Sequence, residues 1–282
     1  MKKIILSMFC IFLLVGCSTK QENITIKKNN NQETVDLKVG FGLHHIEDGY
    51  SFDGNDVDIN YDYEVVGRDA NFGLMIFING IPQMIKHEDK ESLVYTFKGK
   101  KDTNKTEHVS IMPNTGSKGD HLYMHAFLIA DYEIVDSLKQ LTNKQHMMAC
   151  GTTFIDIHQD TANNPIDLNN NYDLIDYTSD LLKHDDEEGY FDNNLLIQFP
   201  NNLEGNFKKN KPITIKMSGI SDNYILWVLE DLKPVSSYHI ELPKNKSAVL
   251  SYKPGNKTKN VKAIAIPLSS NLPEESTSLV VK

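Results

Sequence analysis

From position 37 onward, apolar and polar residues alternate in short runs, and Gly, Asn, Asp and Pro separate the runs. A period of two is the mark of half-buried strands, because successive side chains of an extended chain point to opposite faces. The pattern predicts strands over 37–45, 57–66, 72–79, 93–97, 108–112 and 121–129. Asn79-Gly80 closes a tight turn, since both residues tolerate positive φ. A second series follows at 195–199, 213–217, 224–229, 238–242, 248–252, 261–266 and 279–281. Pro212, Pro234, Pro254, Pro267 and Pro273 fall between or at the ends of these runs, where a missing amide donor is tolerated.

The stretch between the two series is less regular. Ile134, Leu138 and Leu141 have helical spacing, which predicts a short helix over 133–141. Residues 160–194 are rich in Asn and Asp, include Asp185-Asp186-Glu187-Glu188, and predict a connection with a small helix over 174–182. The expected fold is mainly β. Two antiparallel β-sandwich domains of immunoglobulin-like pattern, 37–159 and 195–282, are joined by an irregular or helical linker over 160–194. The series share some spacing. Asn71-Phe72-Gly73-Leu74 is echoed by Asn223-Tyr224-Ile225-Leu226, Pro82 by Pro234, and Ser110 with Pro113 by Ser251 with Pro254. Duplication and generic strand patterning both account for these matches.

The first 36 residues differ from the rest. Lys2 and Lys3 precede an apolar run over 4–15 that is too short to span a bilayer, which takes about 20 residues. The run ends in Leu14-Val15-Gly16-Cys17, which resembles the lipobox of bacterial lipoprotein precursors. The resemblance implies a signal peptide over 1–16, cleavage before Cys17, and diacylglyceryl attachment to the Cys17 thiol, often with acylation of the new amino terminus. Two or more chains give stable anchoring where one is marginal. The polar run over 17–36 then reads as a flexible tether. The expected location is the extracytoplasmic face of the cell membrane, and the abundance of Asn, Lys and Ile points to a low-GC bacterium.

Composition narrows the function classes. The chain is 40% hydrophobic and 24% charged, ordinary for a globular protein, with a net charge of -9. Loss of Lys2 and Lys3 with the leader leaves 27 basic against 38 acidic residues, or -11. That balance argues against a general nucleic-acid binder and against a polybasic membrane-surface mode, so the lipid is expected to do the anchoring. Of the three cysteines, Cys10 is in the leader, Cys17 takes the lipid, and Cys150 is left among apolar neighbours as a structural thiol without a disulfide partner.

The sharpest chemical pattern is Asp56-Val57-Asp58-Ile59-Asn60-Tyr61-Asp62-Tyr63-Glu64. As a strand it places Asp56, Asp58, Asn60, Asp62 and Glu64 in one row, successive members about 7 Å apart. Asp56, Asp58, Asp62 and Glu64 are therefore candidate ligand-binding residues for a cationic peptide, an amine or calcium; charges that discourage edge pairing are the plainer account. Calcium-loop spacing fails, with Tyr61 at the glycine position and Gly67 at the final acid. Asp167, Asn169, Asn171 and Asp173 fail the same test, with Tyr172 and Thr178 at those positions. His121 and His125, four apart in a strand, stand about 13 Å apart, too far to share one metal. His44 and His45 point to opposite faces. No metal site and no cofactor is expected.

Nucleophile elbows, zinc-hydrolase helices and phosphate loops are missing from the sequence. Trp227 lies on a strand apolar on both faces, and core packing of the second sandwich is favoured over an exposed hot spot. The expected function is a lipid-anchored surface protein that binds another envelope or secreted protein or peptide, without catalysis and without nucleic acid. The alternatives are a surface hydrolase acting on wall polymer or glycan through unplaced carboxylates, and a metal-capturing lipoprotein.

Overall fold

The computed structural model describes residues 37–44, 49–144, 146–163, 166–177 and 194–282. The leader, Cys17, the tether, His45, the 185–188 acidic run and positions 178–182 of the second expected helix lie outside the described residues.

The first series builds β1 (Lys38–Leu43), β2 (Tyr50–Phe52), β3 (Val57–Val66), β4 (Ala70–Ile78), β5 (Ile81–Pro82), β6 (Ile85–His87), β7 (Lys90–Ser92), β8 (Tyr95–Gly99), β9 (Thr103–Ile111) and β10 (His121–Ala130). Helix α1 (Leu138–Asn143) and β11 (Met148–Ile157) complete it. Sheet I has the order β1-β3-β9-β6-β7, and sheet II the order β2-β11-β10-β4-β5 with β8 also on β4. The second series builds β12 (Asp173–Asp176), β13 (Leu195–Gln198), β14 (Asn206–Phe207), β15 (Ile213–Gly219), β16 (Asp222–Glu230), β17 (Lys233–Leu242), β18 (Lys246–Tyr252), β19 (Asn260–Pro267), β20 (Glu274–Glu275) and β21 (Leu279–Val281). Sheet III has the order β14-β21-β19-β16-β17 with β20 on β19, and sheet IV the order β12-β18-β15-β13. The fold is mainly β, and the described strands pair antiparallel apart from two short parallel pairings and the isolated parallel bridge of Asn169 with Tyr238.

The two pairs of sheets repeat one plan. In the first, β3 pairs with β1 and β9, β4 with β10, and β10 with β11; in the second, β15 pairs with β13 and β18, β16 with β19, and β19 with β21. The parallel pairings also correspond, β2 on β11 and β14 on β21. Asn71 and Asn223 are each the second residue of matched strands β4 and β16, and Ser110 and Ser251 lie near the ends of matched strands β9 and β18.

Three apolar layers hold the stack. Ile59, Tyr61, Leu74, Ile76, Ala126 and Leu128 fill the space between sheets I and II. Ile215, Met217, Leu226, Val228, Ala263 and Ala265 do the same between sheets III and IV. The third layer joins the sandwiches: Met75, Phe77, Phe127 and Ile129, on the far face of sheet II, pack with Ile225, Trp227, Leu229, Ile264 and Ile266 on the far face of sheet III. A strand buried on both faces reads as a continuous apolar run, and β4, β10, β16 and β19 occupy that position.

Some expectations change. The first helix begins at Leu138 rather than 133, with Ser137 as its cap accepting from Gln140 N. Leu174 to Asp176, expected as the start of a helix, form strand β12 on the edge of sheet IV, with Leu174 opposite Ala248. Part of the 160–194 segment is thus built into the second sandwich. Asn169 lies beside β17, its N–H donating to Ser237 O and its carbonyl accepting from His239 N. The sequence pattern also missed β11. Its Gly151 lies so close beneath β1 that a Cβ there would stand 3.1 Å from Leu43 N, so the alternation is interrupted where the chain must be thin.

Candidate functional site

Strand β3 alternates as the pattern requires: Val57, Ile59, Tyr61, Tyr63 and Val65 are buried, while Asp58 and Glu64 are exposed and Asn60 and Asp62 half-exposed. It lies between β1 and β9, so the acidic row runs along the middle of the solvent face of sheet I. Register places Gly40 beside Glu64 and Gly42 beside Asp62 on one side. On the other side it places Ser110, His108, Thr106 and Asn104 beside Asp58, Asn60, Asp62 and Glu64. The two glycines put no side chain directly opposite Glu64 and Asp62 on that flank, although His44, just beyond β1, reaches Asp62.

The row is only partly neutralised. Lys86 Nζ lies 2.9 Å from both Asp56 oxygens. Asp62 accepts from Thr106 Oγ1 at 2.6 Å and faces His44 Nε2 at 3.0 Å. The Thr106 hydrogen bond, with a smaller effect from His44, holds the Asp62 carboxyl below its ordinary range, so it is ionised at neutral pH. Among the described residues Asp58 and Glu64 have no ion-pair partner. No group of three or more His, Cys, Asp or Glu able to hold a metal ion occurs among the described residues, and no helix there is long and apolar enough to cross a membrane.

The other singled-out residues are elsewhere. Asn169 caps its own loop through Asn171 N at 2.8 Å. Beside that loop is an open depression of about 510 Å³ lined by Asn170, Tyr172, Asp173, Leu174, His239 and Glu241, with Tyr172 Oη accepting from Glu241 N. His121 pairs with Asp156 at 2.6 Å on the exposed end of sheet II, and His125 on the same face is wholly buried. Cys150 packs against the junction layer; burial pushes its thiol up to about 12, so it stays protonated and poorly nucleophilic at neutral pH.

Trp227 sits in the junction between the sandwiches rather than in the core of the second. Its indole Nε1 donates to Gly80 O at 2.8 Å, across 147 positions of sequence. Gly80, at φ +76°, lies against Ile225, whose Cγ1 would stand 2.5 Å from a Cβ there. Asn260 clamps the junction as a backbone strand would, accepting from Val135 N at 2.8 Å and donating to Val135 O at 2.9 Å. His146 donates from Nε2 to Glu133 O at 2.8 Å, leaving Nδ1 to accept from Ser278 Oγ at 3.1 Å. Lys262, 2% exposed, pairs with Glu275 at 2.7 Å and donates to Ser276 O, while Glu275 accepts from Met148 N. Sequence pattern had marked none of these polar contacts, because each joins residues that are distant along the chain.

No family model matches the chain, and no curated protein matches it. Among solved structures, the periplasmic chaperone SfaE aligns over 87% of this chain and 100% of its own, at 11% identity and a TM-score of 0.20. The fibronectin(III)-like modules of Clostridium thermocellum CbhA align over 87% and 94%, at 12% identity and a TM-score of 0.21. Superpositions this loose carry no argument about function, and the class assignment, a protein of paired immunoglobulin-like sandwiches, rests on the sheet orders above.

Proposed function

We propose that the chain is a lipid-anchored extracytoplasmic binding protein that acts without catalysis, and that the solvent face of sheet I receives a cationic peptide or protein segment. The observation that carries this reading is the acidic row of β3, in which Asp58 and Glu64 have no ion-pair partner among the described residues, and Gly40 and Gly42 flank Glu64 and Asp62. Like charges held about 7 Å apart by a pleated strand repel one another, and a row of basic residues at matching spacing relieves that repulsion. The core between sheets I and II supports the reading by packing the opposite side of β3 through Ile59, Tyr61, Tyr63 and Val65. The lipobox-like leader supports attachment through Cys17.

Two experiments test it. Immobilised 35–282 protein is challenged with envelope and secreted proteins and with lysine-rich peptides. The expected partner is basic, elutes with moderate salt, and is lost from the Asp58→Asn/Glu64→Gln variant; equal capture by both proteins rejects the acidic face as the site. For the anchor, Cys17→Ala is expected to abolish lipid labelling, and normal labelling of the variant rejects it.

A further inference from the structure

The second sandwich is charged oppositely to the rest of the chain. Residues 194–282 contain 12 lysines against 7 carboxylates, a net +5 inside a protein of net -9. The lysines gather at one end. Lys211 and Lys253 both lie just beyond the end of the ladder that pairs Ile213 with Tyr252. The pairing of Phe207 with Val281 brings Lys208 beside Lys282. Lys209 and Lys257 are exposed in the adjoining loops.

Two of the carboxylates at this end, Glu230 and Asp231, are held by nearby donors, while Glu204 is exposed. Glu230 accepts from Tyr252 Oη at 2.6 Å, Gly255 N at 2.7 Å and Thr258 Oγ1, and Asp231 accepts from the amides of Lys259 and Asn260 at 2.9 Å. Lys259 is matched by Asp136, and Glu204 lies 4.0 Å from Lys282. Lys208, Lys209, Lys211, Lys253 and Lys257 have no ion-pair partner among the described residues. Glu230 and Asp231 spend their acceptors on nearby donors, Glu204 faces Lys282, and the five lysines outnumber the exposed carboxylates at this end.

The same end exposes apolar side chains. Leu203 is 87% exposed on a turn held by Gly205 N donating to Asn202 O at 2.9 Å and Asn202 Nδ2 donating to Asn206 O at 2.7 Å. Asn201 Nδ2 donates to Thr214 Oγ1, which fixes that turn beside the start of β15. Leu138, 40% exposed, lies against Gly205. A well-held turn that presents a leucine to water beside unpaired lysines is matched by one surface in particular: a layer of anionic headgroups with hydrocarbon beneath.

We propose that this lysine-rich end of the second sandwich docks on an anionic lipid bilayer, with Leu203 entering the headgroup layer and Lys208, Lys209 and Lys211 countering its charge. The contact would orient a tethered body whose acidic first sandwich is repelled from the same surface. It is independent of what occupies the acidic face of sheet I.

The test is co-sedimentation of the 35–282 protein with vesicles. All four sheets and all three apolar layers lie within Val35–Lys282, which forms one compact unit. Binding is expected to phosphatidylglycerol/phosphatidylcholine vesicles at low salt, to weaken as salt rises, and to be missing with phosphatidylcholine alone. Lys208→Ala/Lys209→Ala/Lys211→Ala should weaken it about 100-fold, at about fivefold per lysine. Leu203→Ser should weaken it about tenfold. Both variants should melt as the parent does. Equal binding to neutral and anionic vesicles, or an unaffected triple variant, overturns the proposal. So does full competition by soluble polyphosphate with Leu203→Ser binding as the parent, which would assign the end to a soluble polyanion.

Discussion

The two sandwiches share one order of strand pairing and carry opposite charge. Counted along the sequence, residues 37–163 hold 19 acidic against 11 basic residues, whereas 194–282 is positive by five. Strand order depends on the buried faces, and the buried faces are alike: Ile59 and Tyr61 in β3 face inward as Ile215 and Met217 do in β15. Charge sits on the faces that pairing leaves free. One architecture therefore presents an acidic row on sheet I and a basic end beside β15 without conflict between them. What makes the pair a unit is the junction, where both sandwiches give up an apolar outer face.

The largest expected effect comes from breaking that junction. Trp227→Ala removes a buried indole and leaves Gly80 O without its donor, which should cost about 3–5 kcal/mol. Because the layer belongs to both sandwiches, denaturant unfolding should show a single transition displaced to lower midpoint; two separate transitions in the parent protein would show that the sandwiches are not coupled.

Acid is the next lever, and it acts on the first sandwich's side of the junction. Burial pushes the His125 imidazole down from 6.5 to about 4, with the Pro267 carbonyl opposing part of the shift. No hydrogen bond of good geometry reaches its Nε2. Between those pH values the unfolded chain binds the proton and the folded one does not, so stability rises with pH. The contribution is full above about pH 6.5 and should be lost by about pH 4, a change of about 3 kcal/mol. Burial lowers His146 in the same direction. Urea midpoints measured from pH 7 to pH 4 should fall, and His125→Gln should flatten the curve.

A smaller effect is expected at Gly80→Ala. The left-handed backbone and the contact with Ile225 together should cost about 2 kcal/mol, read as a lowered Tm. The smallest change should follow Asp58→Asn/Glu64→Gln, within about 0.5 kcal/mol of the parent because both side chains are exposed. A large loss of stability there would mean that the row is structural, and would weaken the contrast between a charged face made for ligand and a buried face made for cohesion.

Much of this comparison was legible along the chain. The alternation of β3 placed Asp58 and Glu64 on one face before any contact was known, and the structure keeps them there. Strands β15 and β18 were legible for the same reason, and β4, β10, β16 and β19 as short apolar runs bounded by turn residues. Strand β11 was not, since Gly151 and Thr153 on the side of Ile155 and Ile157, and Phe154 on the other, break its alternation. The small helix expected from 174 was drawn from composition in a segment whose neighbours were unknown; pairing with β18 makes its first residues a strand. Whole-chain charge was the least informative quantity. It averaged an acidic sandwich, an acidic connecting segment and a basic sandwich, and so hid the lysine-rich end.

The sequence by itself determined the β class, the facing of each alternating strand and the absence of familiar catalytic motifs, because pleat geometry and motif spacing are local properties. Only the tertiary structure decided that Trp227 packs in the junction rather than in the second core, that His125 and Asn260 are interior, and that Leu203 stands near lysines without an ion-pair partner among the described residues. Those outcomes depend on which distant strands become neighbours. A second apolar face on β4 or β16 is silent about its partner until the other sandwich closes over it.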